Sequence, residues 1–208
     1  MLSYLEESYN REFKSVEYIP ATRGFNDFMK ENVLVAKDEK GIVVNVKEKV
    51  SKKGQFYDDY TNGFVSKLIE NAVDFSGIEN LYGAKTYVTL KADYDDVTIL
   101  DEEGFSLSME MINSWYNIIS ISDEANDEVL EQLFTVYEKC NSLGFGPSVF
   151  IVAFGGEENK SEIYVNNFLL YGVQDWEQYD ERVKQVLKVM EEGLSFEQFK
   201  EQLVVVGG

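Results

Sequence analysis

The stretch Asp123-Glu124-Ala125-Asn126-Asp127-Glu128-Val129-Leu130-Glu131-Gln132-Leu133-Phe134-Thr135-Val136-Tyr137-Glu138-Lys139-Cys140-Asn141-Ser142 decides how the chain is read. At 100° per residue, Val129, Leu133, Val136 and Cys140 fall on one side with Leu130 and Tyr137 flanking them, the period of an amphipathic helix. The spacing predicts a helix over 123–142, closed by Gly144. With Glu124 taken as zero, Asp127, Glu128, Glu131 and Glu138 lie within about 60° on either side, opposite Leu133. One helix thus offers an apolar face to a core and a carboxylate face to solvent.

The flanking sequence alternates between helical and extended patterns. After the helix, Ser148 to Phe154 and Glu162 to Leu170 read as a buried β-hairpin across a Gly155-Gly156 turn. Before it, Ile112 to Ile121 fits helix or strand equally. Phe105, Leu107, Met109 and Met111 alternate with polar residues, as in a half-buried strand. Strands are also expected over Thr86 to Ala92 and Val97 to Leu100. From Tyr57 to Phe75 a helical stripe runs through Tyr57, Tyr60, Phe64, Leu68, Ala72 and Phe75, with Gly77 as its stop.

Nearer the start, two β-branched runs, Val33 to Ala36 and Ile42 to Val46, flank Asp38-Glu39-Lys40-Gly41, a hairpin signal. A capped helix over Ser3 to Phe13, an extended run over Val16 to Ile19 ending at Pro20, and a short helix over Gly24 to Glu31 complete this end. At the other end, a helix is expected over Gln174 to Glu192. Ser195 and Gln198 then form a capping box, and the last residues from Val204 to Gly208 read as a frayed end. The expected fold is α+β: mixed or antiparallel sheet hairpins packed with three to five amphipathic helices. A single domain spans 1–208. The one boundary it offers, a weak one near Ser51 to Gln55, separates a near-neutral N-terminal part from an acidic body.

Composition narrows the chemistry. The 208 residues include 38 Asp and Glu against 19 Lys and Arg, a net charge of −19, and no His. No Ser-His-Asp or Cys-His system can be built, nor a zinc site that uses His. The single Cys140 rules out an internal disulfide and reads as helix packing. No signal peptide or membrane-spanning run is visible, so a cytoplasmic protein with no membrane partner is expected. No catalytic residue, metal ligand or cofactor is assigned. Asp93-Tyr94-Asp95-Asp96 resembles the start of a calcium loop, but Thr98 and Gly104 stand where that loop needs Gly and Glu.

The charge is located, and that carries the functional expectation. Residues 1–53 hold 9 acids against 10 bases; residues 54–208 hold 29 against 9. Between Lys91 and Lys139 there are 13 carboxylates and no basic residue. A compact chain of this length is about 43 Å across. Its 19 net charges then amount to about one per 2.3 Å, near the roughly 1.7 Å of duplex DNA. Asp93, Asp95, Asp96, Asp101, Glu102, Glu103, Asp123, Glu124, Asp127, Glu128, Glu131 and Glu138, with Tyr94 as an aromatic anchor, are the expected partner-binding residues.

In charge pattern the chain is similar to phage- or mobile-element-encoded nucleic-acid mimics that inhibit restriction or CRISPR effectors. That resemblance implies a non-enzymatic inhibitor that occupies the basic groove of a nucleic-acid-binding protein. Direct nucleic-acid binding is not expected, because the acidic body repels phosphates. Two other readings stand beside it. One is an acidic accessory or structural protein of a phage or bacterium whose charge serves solubility or assembly. The other is a carboxylate-dependent divalent-cation-binding protein or hydrolase. Lys47, Lys49, Lys52 and Lys53 form the one basic cluster, a counterpart for the acidic region of a second copy, and so leave a homo-oligomer open.

Overall fold

A computed structural model describes residues 1–21, 31–91, 109–143, 149–154, 185–189 and 193–205. The architecture is α+β, with two sheets and, among the described residues, four α-helices. The chain divides into two compact units, the first containing residues 1–67 and the second beginning at Leu68.

In the first unit, helix α1 (Leu2–Tyr9) precedes four antiparallel strands in sequential order: β1 (Phe13–Ile19), β2 (Val33–Asp38), β3 (Val43–Glu48) and β4 (Phe56–Asp58). The expected hairpin is present, with Ala36 opposite Val44 and Val35 opposite Asn45. Its turn closes because Asp38 Oδ1 accepts from Ile42 N at 2.7 Å while Gly41 takes a φ of +84°. Leu34, Ala36, Val44 and Val46 bury their side chains with Leu5, Phe13, Tyr60 and Phe64. Residues 51–55 form the turn between β3 and β4, inside this one sheet.

Helix α1 is shorter than expected and has no side-chain cap: Met1 is its N-cap, and Phe13 already begins β1. Eight residues are too few to hold a helix by propensity alone. Tertiary contacts hold it instead. Leu5 is fully buried, and Asp58 accepts from Tyr4 Oη at 2.9 Å and from Tyr9 Oη at 2.7 Å. Replacing Asp58 with Ala removes both bonds, together with the one it accepts from Tyr60 N, and is expected to weaken the docking of α1 by about 2 kcal/mol. Amide exchange should then rise over Leu2–Tyr9 by at least tenfold while β2 and β3 keep their protection.

Helix α2 (Tyr60–Val73) starts three residues later than the stripe beginning at Tyr57 implied, because Tyr57 belongs to β4. Asp58 Oδ1 accepts from Tyr60 N at 2.9 Å, and Asp59 O accepts the first helical bond from Gly63 at 3.0 Å. The Asp58 carboxylate and the Asp59 backbone carbonyl therefore mark the helix start. The buried apolar residues are Tyr60, Phe64, Val65, Ile69 and Val73, whereas Leu68 and Ala72 face solvent. This change of stripe falls where the chain passes from one compact unit to the other. The helix ends before Gly77, at Asp74, whose positive φ of 55° leads into the 3-10 turn Phe75–Gly77. Gly63 lies close against β3: a Cβ there would sit 3.0 Å from the Val43 carbonyl oxygen.

The second unit is a five-stranded mixed sheet in the order β5 (Leu81–Leu90), β6 (Ile112–Ile121), β7 (Val149–Phe154), β8 (Gln185–Val189), β9 (Leu203–Val205). Only β6 and β7 run parallel, joined through helix α3 (Asp127–Ser142), while the other pairs are antiparallel. A parallel pair needs such a crossover. The ambiguous segment Ile112 to Ile121 is thus a strand, and its six residues from Tyr116 to Ile121 match Val149–Phe154 one for one.

Several expectations need correction. β5 begins at Leu81, five residues before Thr86, because Gly83 and Ala84 pair with Ser120 and Ile119 despite weak strand propensity. Met109–Met111 is a 3-10 turn, not the end of an alternating strand. Residues 185–189, expected inside a helix, form β8, held between β7 and β9. Its three- and four-residue apolar spacing suited a helix, but pairing on both edges overrode that local preference. Leu203–Val205 is likewise a paired strand, not a frayed end. The antiparallel partner of β7 is β8; Glu162 to Leu170 lies outside the described residues, as do the expected elements over 24–30 and 97–100.

Helix α4 (Phe196–Glu201) begins with the expected capping box, Ser195 Oγ accepting from Gln198 N and Gln198 Oε1 accepting from Ser195 N. Phe199 is fully buried and packs its ring 5.4 Å from both Phe134 and Tyr137 of α3. Tyr137 meets Phe150 of β7 edge-on at 6.2 Å, and its hydroxyl accepts from Leu194 N at 3.0 Å. The helix is thereby fixed on the sheet with its acidic side outward.

Candidate functional site

Helix α3 buries the six residues its sequence pattern assigns to the core: Val129, Leu130, Leu133, Val136, Tyr137 and Cys140. Asp127, Glu128, Glu131 and Glu138 are exposed. Counted from Asp127, Glu138 and Glu131 lie about 20° and 40° around the axis, and Glu128 about 100°. Glu131 and Glu138 are two turns apart, about 10.5 Å along the helix.

Two of the expected residues are not on the helix. Its N-cap is Asn126, whose side chain accepts from Val129 N at 3.0 Å, so Asp123 and Glu124 precede it. Asp123 accepts from Asn80 Nδ2 at 2.9 Å, and Glu124 is exposed. An Asn one residue before a helix is as good a cap as Asp, and this shortens the expected element by four residues. Asp93, Tyr94, Asp95, Asp96, Asp101, Glu102 and Glu103 lie outside the described residues.

The face is also less uniformly acidic than the sequence interval 92–138 implied. Lys200 of α4 places Nζ 3.5 Å from Asp127 and 3.2 Å from Glu197, and lies over the Phe196 ring at 4.7 Å. Its hydrogen bond to Glu197, followed by the nearby Asp127 charge, raises the ammonium pKa. Lys139 pairs with Asp74 at 3.7 Å. Both acids of the Lys200 pair are more than three-quarters exposed, so these contacts contribute little stability. They do cancel charge locally. Asp127 and Glu128 also sit in the first turn, where the helix dipole favours carboxylates. Glu131 and Glu138 have no such local reason, and no ion pair is recorded for either among the described residues. Glu131 stands i+3 from Glu128 and i+4 from Asp127, which costs a few tenths of a kcal/mol for each pair.

A second group of carboxylates, absent from the sequence expectation, lies in the first unit. Asp38 is fully buried, accepts from Tyr60 Oη at 2.6 Å, and lies 3.9 Å from Arg11 Nη1. Asp59 accepts from Asn45 N at 2.7 Å and from Asn45 Nδ2 at 2.8 Å. Burial pushes its carboxyl pKa up, against the opposing pull of these two bonds. Burial, and then the bonds to Asp58 and Asp38, raise the phenols of Tyr9 and Tyr60. These groups are bonded to one another inside the fold, and their signal in sequence was acids at a turn and at a helix start.

The Asp59 shift has a sign opposite to that of an ion-paired acid. A carboxyl whose folded pKa exceeds its unfolded value binds a proton more tightly when folded. Its contribution therefore favours folding below the unfolded value of 3.8 and is lost as pH rises through the folded pKa. Asp59→Asn removes this contribution. Asn45 can turn its amide to accept from the new side chain, so the fold should persist. Urea midpoints between pH 4 and 7 should differ between variant and parent by an amount that changes across this window. A constant difference would contradict the assignment.

Among the described residues, no group of three His, Cys, Asp or Glu converges to hold a metal ion. No described helix is long and apolar enough to cross a membrane. No family model matches the chain, and no curated protein matches it. The solved crystal structure of a DUF5037 family protein from Ruminococcus gnavus ATCC 29149, at 2.55 Å resolution, is similar over 97% of this chain and 96% of that one. Its TM-score is 0.57 and its sequence identity 15%. The likeness is one of fold. It shows that the arrangement of elements spans nearly the whole chain in both proteins, and at this identity it assigns no residue a role.

Proposed function

We propose that this protein is a non-catalytic inhibitor that binds the basic groove of a nucleic-acid-binding protein through the outer face of α3. The observation that supports this reading is the exposure of Glu131 and Glu138 on a helix whose opposite face is fully engaged in the core. Glu128 extends that face at its N-terminal end, and Glu124 is exposed two residues before the N-cap. A rigid helix presents such charges at fixed spacing, so an array of Lys and Arg evolved for phosphates can meet them without ordering a loop. The net charge of −19 draws a basic partner from a distance and repels nucleic acid.

The expected interaction is steered by charge and falls with salt. The protein, immobilised at low ionic strength, should capture nucleic-acid-binding proteins from the producing cell and release them as salt rises toward 0.5 M. Capture that persists at high salt, or that recovers no basic protein, would favour the reading in which the acids serve solubility alone.

A further inference from the structure

β1 is the outer strand of the four-stranded sheet, and among the described residues nothing pairs with its outer edge. Lys14 to Tyr18 are all exposed, Val16 at 62% and Tyr18 at 55%. An open edge is a row of N–H and C=O groups that a second strand can complete.

The strand contains a bulge. Ser15 stands opposite Ala36 and Glu17 opposite Val35, so Val16 is an extra residue. Regular alternation would put residues 14 and 17 on opposite faces of a strand. Here Lys14 and Glu17 face Lys37 and Val35, which are two apart on β2, so both lie on one face. Phe13, Ser15 and Tyr18 share the other, opposite Asp38, Ala36 and Leu34.

We propose that β1 pairs antiparallel with β1 of a second copy of this chain, joining the two four-stranded sheets across a two-fold axis centred on Ser15. An axis normal to the sheet keeps each face on its own side, so only residues of the same face can stand opposite each other. The bulge meets that condition. Lys14 then lies opposite the partner's Glu17, and Glu17 opposite the partner's Lys14. On the other face Tyr18 lies beside the partner's Phe13. Opposite-charge and aromatic cross-strand pairs are the contacts that stabilise antiparallel sheets. The location suits a protein that otherwise repels its own copies: residues 1–53 hold 9 acids against 10 bases, and the excess negative charge is all beyond them.

Sedimentation equilibrium of the full chain at micromolar to hundred-micromolar concentration tests the pairing. The parent should reach twice the monomer mass. Lys14→Glu alone, and Glu17→Lys alone, place like charges opposite each other and should each weaken dimerisation by about tenfold. The double exchange Lys14→Glu with Glu17→Lys restores both pairs and should restore the dimer. Circular dichroism of the single variants should match the parent, which separates lost pairing from lost folding. A parent that stays monomeric would mean that the bulge blunts the edge, and would overturn the proposal. So would a dimer indifferent to the single exchanges, or one not rescued by the double exchange.

Discussion

Asp38→Ala should lower the stability of the first unit by about 3 kcal/mol, the largest effect expected from any single substitution in its buried polar groups. The side chain is fully enclosed and serves three groups: Ile42 N at 2.7 Å, Tyr60 Oη at 2.6 Å and Arg11 Nη1 at 3.9 Å. Alanine leaves a hairpin amide and a buried phenol without this acceptor, and Arg11 without its counter-charge. Removing one member of a buried, hydrogen-bonded pair costs more than the pair contributes, because the remaining member stays desolvated. The Arg11 contact is long, so most of the effect comes from the two short bonds. Asp38→Asn keeps an acceptor for Ile42 N and lets Tyr60 Oη accept from the new amide, and should cost about half as much. Amide exchange of β2 and β3 in urea reads both effects within this unit. Parent-like protection in Asp38→Ala would refute the role given to this carboxylate.

The second large effect concerns binding. Exchanging Glu128, Glu131 and Glu138 for Lys reverses three exposed charges and touches none of the buried residues of α3. Each close interfacial charge pair is worth about 1.5 kcal/mol or more when desolvated, and reversal replaces attraction with repulsion. Affinity for the captured partner should fall by about a thousandfold, with a shallower salt dependence. Stability should hold within about 0.5 kcal/mol, since positions 128 and 131 still carry like charges while the exchange at Glu131 turns its i,i+4 repulsion from Asp127 into attraction. Exchanging Asp127 should matter less, because Lys200 already offsets its charge. Equal losses from Asp127 and Glu131 would show that distributed charge, not this face, governs binding.

Much of this architecture was legible in the chain because the relevant signals are local. The β2–β3 hairpin follows from two β-branched runs around a Gly at positive φ. The buried face of α3 follows from one unbroken period of six apolar residues, and the Ser195 capping box from two residues three apart. What escaped depends on partners distant in sequence. Val186 and Val189 carry a spacing that suits a helix, and only their pairing with β7 and β9 makes them a strand. The start of α3 hid because Asp123, a good cap in isolation, is engaged by Asn80, 43 residues earlier.

The site was legible to the same degree. Linear sequence placed the acids of α3 on the solvent side correctly, since helical geometry settles that. It could not place Lys200, 73 residues beyond Asp127, beside the first turn. Nor could it separate acids that serve the helix start from those without a local role. The proposal rests on Glu128, Glu131 and Glu138 of α3, while the expected residues from Asp93 to Glu103 lie outside the described residues.

Competition for a partner's groove tests the central proposal most directly. A captured partner, loaded with a fluorescent oligonucleotide at physiological salt, is titrated with this protein while anisotropy is followed. The parent should displace the oligonucleotide stoichiometrically, and the Glu128, Glu131 and Glu138 triple exchange should not. Anisotropy that rises instead, as a ternary complex forms on the still-loaded partner, would contradict it.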